Sequence, residues 1–385
     1  MINIKINGME HAVKAGTTIL SAARENGTHI PTLCHFGEFA PDSLCRVCLV
    51  EVKGQSRLVP ACSTAVCEGM EIETNSEQVL ESRRMTVDMI CRHHRMECDC
   101  CTRYSNCELH AVLRELGMDD RKYVSIYHEK EQLPISPAIV KDYSKCILCR
   151  RCEAACETYA DKSIITMHRG AEIRVGLAPN AESGCISCGQ CVRVCSTGAL
   201  QIHNENKAVR IAMNRGKHLV AAVSPELGDQ EYLGKLNSIL HSTGFSCVVN
   251  ASEFINRIGE APTCPATAIR HGTESIHPEK MFHDWAKGEY AAQEGITPED
   301  IFTVYISGCT ALKDRHSCDC VMTQRELDAF ILRCSVSRYT MRQVWNDAPV
   351  RAYDRFVAAA VPEGRICRDP VCPGGCKNGG GLSVK

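Results

Sequence analysis

Two copies of one cysteine spacing dominate the middle of the chain. Each copy reads C-x2-C-x2-C-x3-C, which puts three thiolates on one tight loop and a fourth further along. Loops of this kind bind [4Fe–4S] clusters, and where two copies occur together the fourth cysteine of each binds the other cluster. The spacing therefore predicts two clusters with crossed ligand sets. The first set is Cys146, Cys149, Cys152 and Cys195, and the second is Cys185, Cys188, Cys191 and Cys156.

The chain has 27 cysteines among 385 residues, a count that indicates either a disulfide scaffold or metal sites. The first residues, 1–5, lack the basic start and apolar run of a secretory signal. The longest apolar stretches, such as 219–223, are too short for a membrane span. We therefore predict a cytoplasmic protein with reduced, metal-binding thiols. The formal net charge of −2 gives no basic surface for nucleic acid.

A second group of cysteines lies nearer the amino terminus, with the spacing C-x10-C-x2-C-x13-C. Thiolate sulfur is a soft ligand that suits iron, and three ligands on a loop with a distant fourth are typical of plant-type [2Fe–2S] sites. A structural zinc site is the alternative. The four candidate ligands are Cys34, Cys45, Cys48 and Cys62.

A third group combines one histidine with three cysteines, in the spacing H-x3-C-x2-C-x5-C. Taken alone, this group could equally be a zinc site with the same four ligands. His93 is the rival of the preferred histidine, and Cys100 inside the loop is interpreted as a bystander. The four candidate ligands are His94, Cys98, Cys101 and Cys107.

The order of these groups resembles the amino-terminal part of [FeFe] hydrogenases and of the large iron–sulfur subunit of respiratory complex I. The long first gap between Cys34 and Cys45 matches those families rather than plant ferredoxins. The resemblance implies one [2Fe–2S] cluster and three [4Fe–4S] clusters, one of them ligated by His94. An imidazole in place of a thiolate makes that cluster less negative and should raise its potential. The proline usual after the fourth ferredoxin cysteine is replaced by Glu157 and Ser196, which loosens the turn without removing a ligand.

Three segments of the last third resemble the motifs that hold the catalytic H-cluster of [FeFe] hydrogenases, a [4Fe–4S] cubane bridged to a diiron unit. Residues 262–265, PTCP, resemble T-S-C-C-P, and residues 307–313, SGCTALK, resemble M-P-C-T-A-K-K. Residues 372–381, CPGGCKNGGG, resemble C-x-x-G-C-x-N-G-G-G. The resemblance implies a further [4Fe–4S] cluster in the carboxy-terminal domain. Its candidate ligands are Cys264, Cys309, Cys372 and Cys376.

The groups that serve the diiron unit in that family are replaced here. Thr263 stands where the family has the proton-relay Cys, and Leu312 stands where it has the Lys that binds the diiron cyanide. Arg315 lies near the position of the relay Glu. The packing methionines fall at Ser307 and Pro370. Threonine cannot serve as the acid of a proton path, and the domain is short for this family.

We therefore predict a truncated, degenerate hydrogenase domain that keeps a [4Fe–4S] cluster and lacks the diiron subsite and H2 chemistry. One alternative is that its cysteines hold no cluster. Another is that extra thiols supply a different ligand set, from Cys318, Cys320, Cys334 and Cys367.

The predicted fold is α+β and multidomain. Residues 1–76 should form a plant-type β-grasp [2Fe–2S] ferredoxin domain and residues 77–125 the histidine-ligated [4Fe–4S] domain. Residues 126–212 should form a bacterial-type two-[4Fe–4S] ferredoxin domain, and residues 213–385 a truncated α/β hydrogenase-like domain.

Hydrophobic periodicity and turn signals place the local elements. Strands are predicted on both sides of Asn7-Gly8 and at 164–167, 173–175, 219–223, 246–249 and 302–306. Helices are predicted at 17–27, 77–91, 232–241 and 324–334. The segments 119–137 and 379–385 are predicted to be a polar connector and an unstructured tail.

The resemblance implies an electron-transfer subunit of a larger anaerobic redox complex, with no catalytic residues of its own. Such subunits relay single electrons between a flavin- and NAD(H)-binding subunit, ferredoxin and a separate catalytic subunit, such as a formate dehydrogenase or a [NiFe] hydrogenase. The family implies partners like the E and F subunits of complex I, that is, a small [2Fe–2S] subunit and a flavin subunit that can bifurcate electrons.

Three other functions can be compared with this one: nucleotide binding, hydrogen turnover and redox sensing. No G-x-G-x-x-G stands after a strand, so the chain itself is not expected to bind NAD or flavin. A compact, active [FeFe] hydrogenase is the alternative. A redox sensor would need a signalling domain, and the sequence offers no sign of one.

Overall fold

The computed structural model describes residues 1–37, 43–98, 101, 103, 106–123, 132–160, 162–179, 184–228, 230–257, 277–314 and 317–334. The chain divides into two compact units. The first comprises Met1–Ile135, Val140–Ala181 and Gln190–Gln201, and the second Ser136–Ile139, Glu182–Gly189 and Ile202–Lys385. Within the described residues, no helix is long and apolar enough to cross a bilayer.

The first unit opens with a five-stranded sheet. Its strands are β1 (Ile2–Ile6), β2 (Met9–Val13), β3 (Leu49–Val52), β4 (Val59–Pro60) and β5 (Glu71–Glu73). Their order is β2-β1-β5-β3-β4, with β1 antiparallel to β2 and parallel to β5. Asn7 and Gly8 turn the first hairpin with φ of 50° and 78°, the left-handed pair that a tight hairpin requires. The predicted opening hairpin is confirmed.

One helix packs on this sheet. Helix α1 spans Ile19–Glu25 and begins at Thr18, whose side chain accepts a hydrogen bond from the Ser21 amide. It ends before Gly27, which is left-handed with φ of 75°, as expected for a helix stop. Ile19 and Leu20 are fully buried against the sheet residues Ile4, Ile6, Val50 and Ile72. The helix predicted at 17–27 is confirmed.

Two further helices form a second core. Helix α2 (Glu77–His93) is capped by Ser76, and helix α3 (Glu108–Glu115) follows the segment that carries His94 and its three cysteines. Their apolar faces pack with the loops of the first cysteine group; the core residues include Leu33, Val47, Val87, Cys91, Leu109, Val112 and Leu113. The helix predicted at 77–91 is confirmed.

The doubled cysteine motif lies on short elements. Helices α4 (Arg151–Tyr159) and α5 (Gln190–Arg193) each start within a motif, and between them runs an antiparallel pair, β8 (Ile164–Met167) and β9 (Arg174–Leu177). A three-stranded sheet contains β6 (Gln132–Ser136), β7 (Ile139–Asp142) and β10 (Leu200–Ile202), in the order β10-β7-β6. The two strands predicted near 164–167 and 173–175 are confirmed.

Strand β6 corrects the prediction of a polar connector at 119–137. A short 3-10 helix, Asp120–Lys122, also lies within that segment. Ile135 is the buried residue of this strand, and Pro134 is tolerated because β6 is the edge strand of its sheet. Residues 124–131 of the connector lie outside the described part of the chain, as does the predicted tail at 379–385.

The second unit contains a parallel sheet. Its strands are β11 (His218–Val223), β12 (Phe245–Asn250), β13 (Ile301–Ile306) and β14 (Cys320–Met322), in the order β12-β11-β13-β14. Strand β11 is buried on both faces: Leu219 and Ala221 point to one core, and Val220 and Ala222 to the other. A continuous apolar run is typical of a parallel strand covered by helices on both sides. The three strands predicted here are confirmed.

Helices cover both faces of this sheet. On one face lie α6 (Asn206–Asn214), α7 (Gln230–Ser242) and α11 (Gln324–Arg333). On the other lie α8 (Ser252–Arg257), α9 (Pro278–Trp285), a π-helical turn (Ala286–Tyr290) and α10 (Ala291–Glu294). The helices predicted at 232–241 and 324–334 are confirmed. The described part of the chain is thus a multidomain arrangement of helices with mixed, antiparallel and parallel sheets.

The parallel sheet has a switch point at β11. The chain leaves β11 for β12 on one side and returns to β13 on the other. In such sheets the loops after the two strands diverge and leave a crevice at the carboxyl ends, where ligands bind. The segments at this crevice are Pro225–Leu227, after β11, and residues 307–309, after β13.

Candidate iron–sulfur sites

The four cysteines of the amino-terminal group converge in the structure. The sulfur atoms of Cys48 and Cys62 are 3.4 Å apart, and the Cys34 thiol lies within hydrogen-bonding reach of both Cys45 and Cys62. The Cys34 thiol and burial together raise the pKa of Cys45, while the Cys62 thiol lowers that of Cys48. Four thiols that share protons at such short range fit a site in which iron replaces the protons.

A buried arginine supports this loop. Arg83 of α2 is 1% exposed and donates from Nε to the carbonyl of Val47 at 3.0 Å and from Nη2 to that of Leu49 at 3.0 Å. Val47 stands between two of the candidate ligands, so α2 fixes the short loop that carries Cys45 and Cys48. Sequence reasoning missed this contact because its partners are more than 30 positions apart.

The two neighbouring histidines at the end of α2 differ sharply. His93 is exposed, and its Nδ1 pairs with the carbonyl of Met89 at 3.0 Å. His94 is 6% exposed, and its buried Nδ1 has no hydrogen-bond partner among the described residues. Burial, aided by the charge of Lys145, lowers the pKa of His94 to about 4. A neutral, buried imidazole with an unused nitrogen fits a metal ligand.

The three cysteines after His94 lie close enough to interact through their charges. The Cys101 amide donates to the Cys98 carbonyl at 3.1 Å, and Cys107 lies within electrostatic range of both Cys98 and Cys101. Burial, with the nearby Asp120, raises the pKa of Cys98 to about 12. The amides of the first turn of α3 donate to the Cys107 sulfur, and such hydrogen bonds tune a bound cluster. Cys100 lies outside the described residues.

The first ferredoxin set lines a single cavity. All four of its cysteines border this cavity, namely Cys146, Cys149, Cys152 and Cys195. Leu148 and Arg150 are left-handed, with φ of 56° and 60°, which turns the loop around the cavity. Lys141, 1% exposed, also borders it. Burial alone would lower the pKa of Lys141, but the thiolates around it raise the value instead, so a fixed cation is available beside a negative cluster.

Ser196 follows the fourth cysteine, where a proline is usual. Its hydroxyl donates to the Cys149 sulfur at 3.6 Å, and its carbonyl accepts from the Glu108 amide at 3.0 Å. Burial raises the pKa of Cys149 to about 11, and this hydroxyl acts against that shift. Serine in place of proline therefore provides a hydrogen-bond donor to the sulfur of a candidate ligand.

The second ferredoxin set is described in two parts. Cys156 and Cys191 are buried on α4 and α5 of the first unit. Cys185 and Cys188 are half-buried in residues 182–189 of the second unit, on a loop with left-handed Ser187 at φ of 51°. Their grouping around one cluster stays a prediction from spacing.

Of the four carboxy-terminal candidates, the described residues include only Cys309. It lies just after β13, at the switch-point crevice of the parallel sheet. Cys264, Cys372 and Cys376 lie outside the described residues, as do Thr263, Arg315, Pro370 and Cys367. Of the extra thiols, Cys320 is buried within β14, Cys318 donates to its carbonyl at 3.2 Å, and Cys334 follows α11.

A buried glutamate organises the loop that carries Cys309. Glu226 Oε1 accepts from the Ser307 hydroxyl at 2.6 Å and from the Gly308 amide at 3.2 Å, and Oε2 accepts from the Ser224 hydroxyl. The Ser307 hydroxyl in turn accepts from the Cys309 amide at 3.1 Å. Burial raises the pKa of Glu226. Sequence reasoning missed this residue; its signal is the Ser-Pro-Glu run directly after the apolar run at 219–223.

Leu312 and Lys313 stand at the positions of the family's two adjacent lysines, and both are buried. Leu312 is 5% exposed and packs in the apolar core of the second unit. Lys313, fully buried, pairs with Glu326 at 3.1 Å and with Glu205 at 3.7 Å. Its amino group is therefore committed to the fold.

In the part of the chain that the structure describes, no group of three or more His, Cys, Asp and Glu side chains is arranged to hold a single metal ion. A multinuclear cluster spreads its ligands over several irons, so this finding bears on the zinc alternatives alone. They gain no support from the described residues.

Replacing His94 by alanine should remove one ligand and leave the rest of the site intact. We expect His94→Ala to lose the electron paramagnetic resonance (EPR) signal of one [4Fe–4S] cluster, because the site then lacks its nitrogen ligand. His93→Ala is the matched control and should keep every signal. Loss of the signal in the His93 variant, with retention in the His94 variant, would reverse the assignment.

Gly198 should be intolerant of any side chain. A Cβ there would lie 2.9 Å from the Cys101 sulfur, closer than packed atoms approach. We expect Gly198→Ala to displace Cys101 and to shift or broaden the EPR spectrum of the His-ligated cluster. Gly234→Ala, on an open face of α7 with nothing within 4 Å, is the control. Identical spectra for all three proteins would contradict the placement of Cys101.

Comparison with known proteins adds independent findings. Residues 1–77 match the family model of a 2Fe-2S iron-sulfur cluster binding domain, and residues 145–200 match that of a 4Fe-4S dicluster domain. The alpha subunit of NADPH-Fe(3+) oxidoreductase from Geobacter sulfurreducens is 31% identical over 52% of this chain and 24% of its own length. That relative is therefore matched over about a quarter of its sequence.

Two hydrogenase proteins match over most of the chain. Iron hydrogenase 1 of Clostridium pasteurianum is 28% identical over 86% of this chain and 68% of its own length. The NADP-reducing hydrogenase subunit HndD of Solidesulfovibrio fructosivorans is 30% identical over 91% of this chain and 72% of its own length. The chain therefore belongs to the family of [FeFe] hydrogenase-like iron–sulfur proteins that includes HndD.

Proposed function

We propose that the chain is the iron–sulfur electron-transfer subunit of a multisubunit oxidoreductase. The observation that carries this proposal is that the four thiols assigned to one cluster by spacing line one cavity beside a buried cation. Membership of the hydrogenase-like family and the two iron–sulfur domain matches support it. Bound clusters would supply one-electron carriers, while the protein sets each potential through ligand type, hydrogen bonds and burial.

The proposal assigns a cluster complement to four domains. Residues 1–76 form the β-grasp domain with one [2Fe–2S] cluster, and residues 77–125 the histidine-ligated domain with one [4Fe–4S] cluster. Residues 126–212 form the ferredoxin domain with two [4Fe–4S] clusters. Residues 213–385 form the truncated hydrogenase-like domain with a further [4Fe–4S] cluster at Cys264, Cys309, Cys372 and Cys376.

Contacts within the first unit support electron exchange between neighbouring sites. Arg103 donates to the Cys195 carbonyl at 2.7 Å, and the Glu108 amide donates to the Ser196 carbonyl at 3.0 Å. Both contacts join the histidine-ligated segment to the loop of the first ferredoxin set. Ligand-bearing segments in direct contact suit one-electron transfer between the clusters they would bind.

The carboxy-terminal domain is proposed to lack the diiron subsite. Leu312 offers no cation, and Lys313 is held in a buried ion pair, so neither can grip a diiron ligand. The buried carboxylate of Glu226 faces the Cys309 loop instead.

The names of the relatives guide the choice of partners. They include an NADP-reducing hydrogenase subunit, an NADPH-Fe(3+) oxidoreductase subunit and putative formate dehydrogenases. We propose a cytoplasmic complex with a flavin- and NAD(H)-binding subunit, a small [2Fe–2S] subunit, ferredoxin and a separate formate dehydrogenase or [NiFe] hydrogenase subunit. Flavin-based electron bifurcation is the proposed use of such a relay.

Removing a cluster ligand should slow electron transfer through the complex. We expect Cys98→Ala and Cys146→Ala, each tested in the complex that co-purifies with the tagged chain, to slow NADH-dependent ferredoxin reduction by on the order of tenfold or more. Cys67→Ala removes an exposed cysteine outside the assigned sites and should behave as wild type. Equal rates in all four complexes would overturn the relay.

The isolated chain should not make hydrogen. With a chemically reduced viologen as donor and the [FeFe] maturation proteins co-expressed, we expect no H2 evolution and no infrared bands of iron-bound CO or CN⁻. The matched positive control is the C. pasteurianum Iron hydrogenase 1 prepared in the same way. Bands and H2 from this chain would establish the compact hydrogenase instead.

A further inference from the structure

Arg151 occupies an unusual place in the first unit. It stands directly before Cys152 at the start of α4 and is only 1% exposed. A buried guanidinium is costly unless its donors are paired. Its partners therefore show what this arginine does in the fold.

The first partner belongs to the loop of the amino-terminal cysteines. Arg151 Nη2 donates to the carbonyl of His35 at 2.7 Å, and His35 directly follows the candidate ligand Cys34. The guanidinium also lies 5.3 Å from the centre of the Phe36 ring, on which Arg193 packs at 5.5 Å. Arg151 thus holds the backbone of the first site.

The second partner belongs to the histidine-ligated segment. Nη1 and Nη2 pair with the two carboxylate oxygens of Glu108 at 2.7 and 2.8 Å. This bidentate geometry is specific to arginine, since lysine carries no planar fork. Glu108 directly follows the candidate ligand Cys107, so the same side chain also fixes the second site.

The third partner lies in the ferredoxin loop. Nη1 is 3.5 Å from the carbonyl of Val194, which directly precedes the candidate ligand Cys195. The charge of Arg151 also interacts with the thiols of Cys149 and Cys34. One guanidinium therefore touches residues adjacent to ligands of three different candidate sites.

We propose that Arg151 is the junction of the electron relay: a positioning residue that fixes three cluster-bearing loops to one another and whose charge raises the potentials of the clusters at Cys34 and Cys149. The inference rests on the proposed function. An electron that passes from one site to the next oxidises the first cluster and reduces the second by one electron, with no bond made or broken and no proton moved. A buried positive charge favours the reduced, more negative state of both clusters.

The test separates the charge of Arg151 from its geometry. Arg151→Gln removes the charge and the fork, whereas Arg151→Lys keeps the charge and loses the fork. Arg83→Gln is a matched buried control, because the ligand loop that Arg83 supports is that of the first site. Lys53→Gln removes a surface cation paired with Glu71 and controls for net charge.

Redox titrations followed by EPR, with iron and sulfide analysis, are made on each complex. In Arg151→Gln we expect full iron content and a negative shift in the midpoint potentials of two clusters at once, the [2Fe–2S] cluster and one [4Fe–4S] cluster. In Arg83→Gln only the [2Fe–2S] potential should shift, and in Lys53→Gln neither should. Arg151→Lys should keep both potentials near wild type while the rate of reduction of the ferredoxin clusters falls by on the order of tenfold.

The outcomes distinguish this inference from the proposed function. If wild-type protein holds its clusters and passes electrons, but Arg151→Gln leaves both potentials unchanged, the junction is overturned and the relay stands. A shift confined to one cluster also overturns it. If Arg151→Gln loses iron, the Arg151→Lys variant provides the test. Midpoint potentials and a rate of ferredoxin-cluster reduction that both equal wild type in Arg151→Lys would overturn the junction. A wild-type protein without iron would defeat the proposed function itself.

Discussion

Ligation of iron by sulfur is the constraint on which the loops of this chain depend. Among the described residues, eight that are not glycine adopt a left-handed backbone, and five of them lie in cysteine loops: Ser43, Arg46, Leu148, Arg150 and Ser187. Each such residue costs on the order of 1 kcal/mol, and neighbouring thiols together with burial raise the pKa of Cys45 and Cys98 as well. A loop folds this way when the bonds to a cluster repay those costs, because metal binding is then coupled to folding.

The helices and strands around the ligand loops are held together by ordinary apolar packing. The amino-terminal sheet with α1 and the pair of α2 and α3 each have an apolar core of their own. Buried arginines, Arg83 and Arg151, tie these cores to the carbonyls of the ligand loops. A guanidinium can donate to several carbonyl groups and also counter negative charge at a cluster. One arginine can therefore both hold a ligand loop and stabilise the charge of the cluster bound there.

Local signals in the sequence were enough for much of the fold. The Asn7-Gly8 hairpin, the capped helices and the buried run at 219–223 were predicted because each depends on neighbours within a few residues. The cysteine spacings likewise depend on residues that are close in the sequence. Spacing favoured His94 over His93 as the ligand, and in the structure His94 is buried while His93 pairs with the Met89 carbonyl. The error at β6 arose because an edge strand with a proline depends on its partner strand rather than on its own sequence.

The residues that sequence reasoning missed act over long separations. Arg151 meets His35 across 116 positions, and Glu226 meets Ser307 across 81. No periodicity or motif links such pairs. In the second unit, the parallel sheet places Cys309 at its switch point, while Leu312 is buried and Lys313 pairs with Glu326. The same fold can carry different sites, so the frame of the sheet alone does not fix the chemistry at its edge.

The most direct test is a count of iron and acid-labile sulfide in the anaerobically purified complex, with subunit stoichiometry known and EPR spectra recorded during reductive titration. The account predicts about 18 irons in this chain, as one [2Fe–2S] and four [4Fe–4S] clusters, or about 14 if the carboxy-terminal cysteines hold none. A colourless chain without iron, or one that binds a few zinc ions in its place, would contradict it.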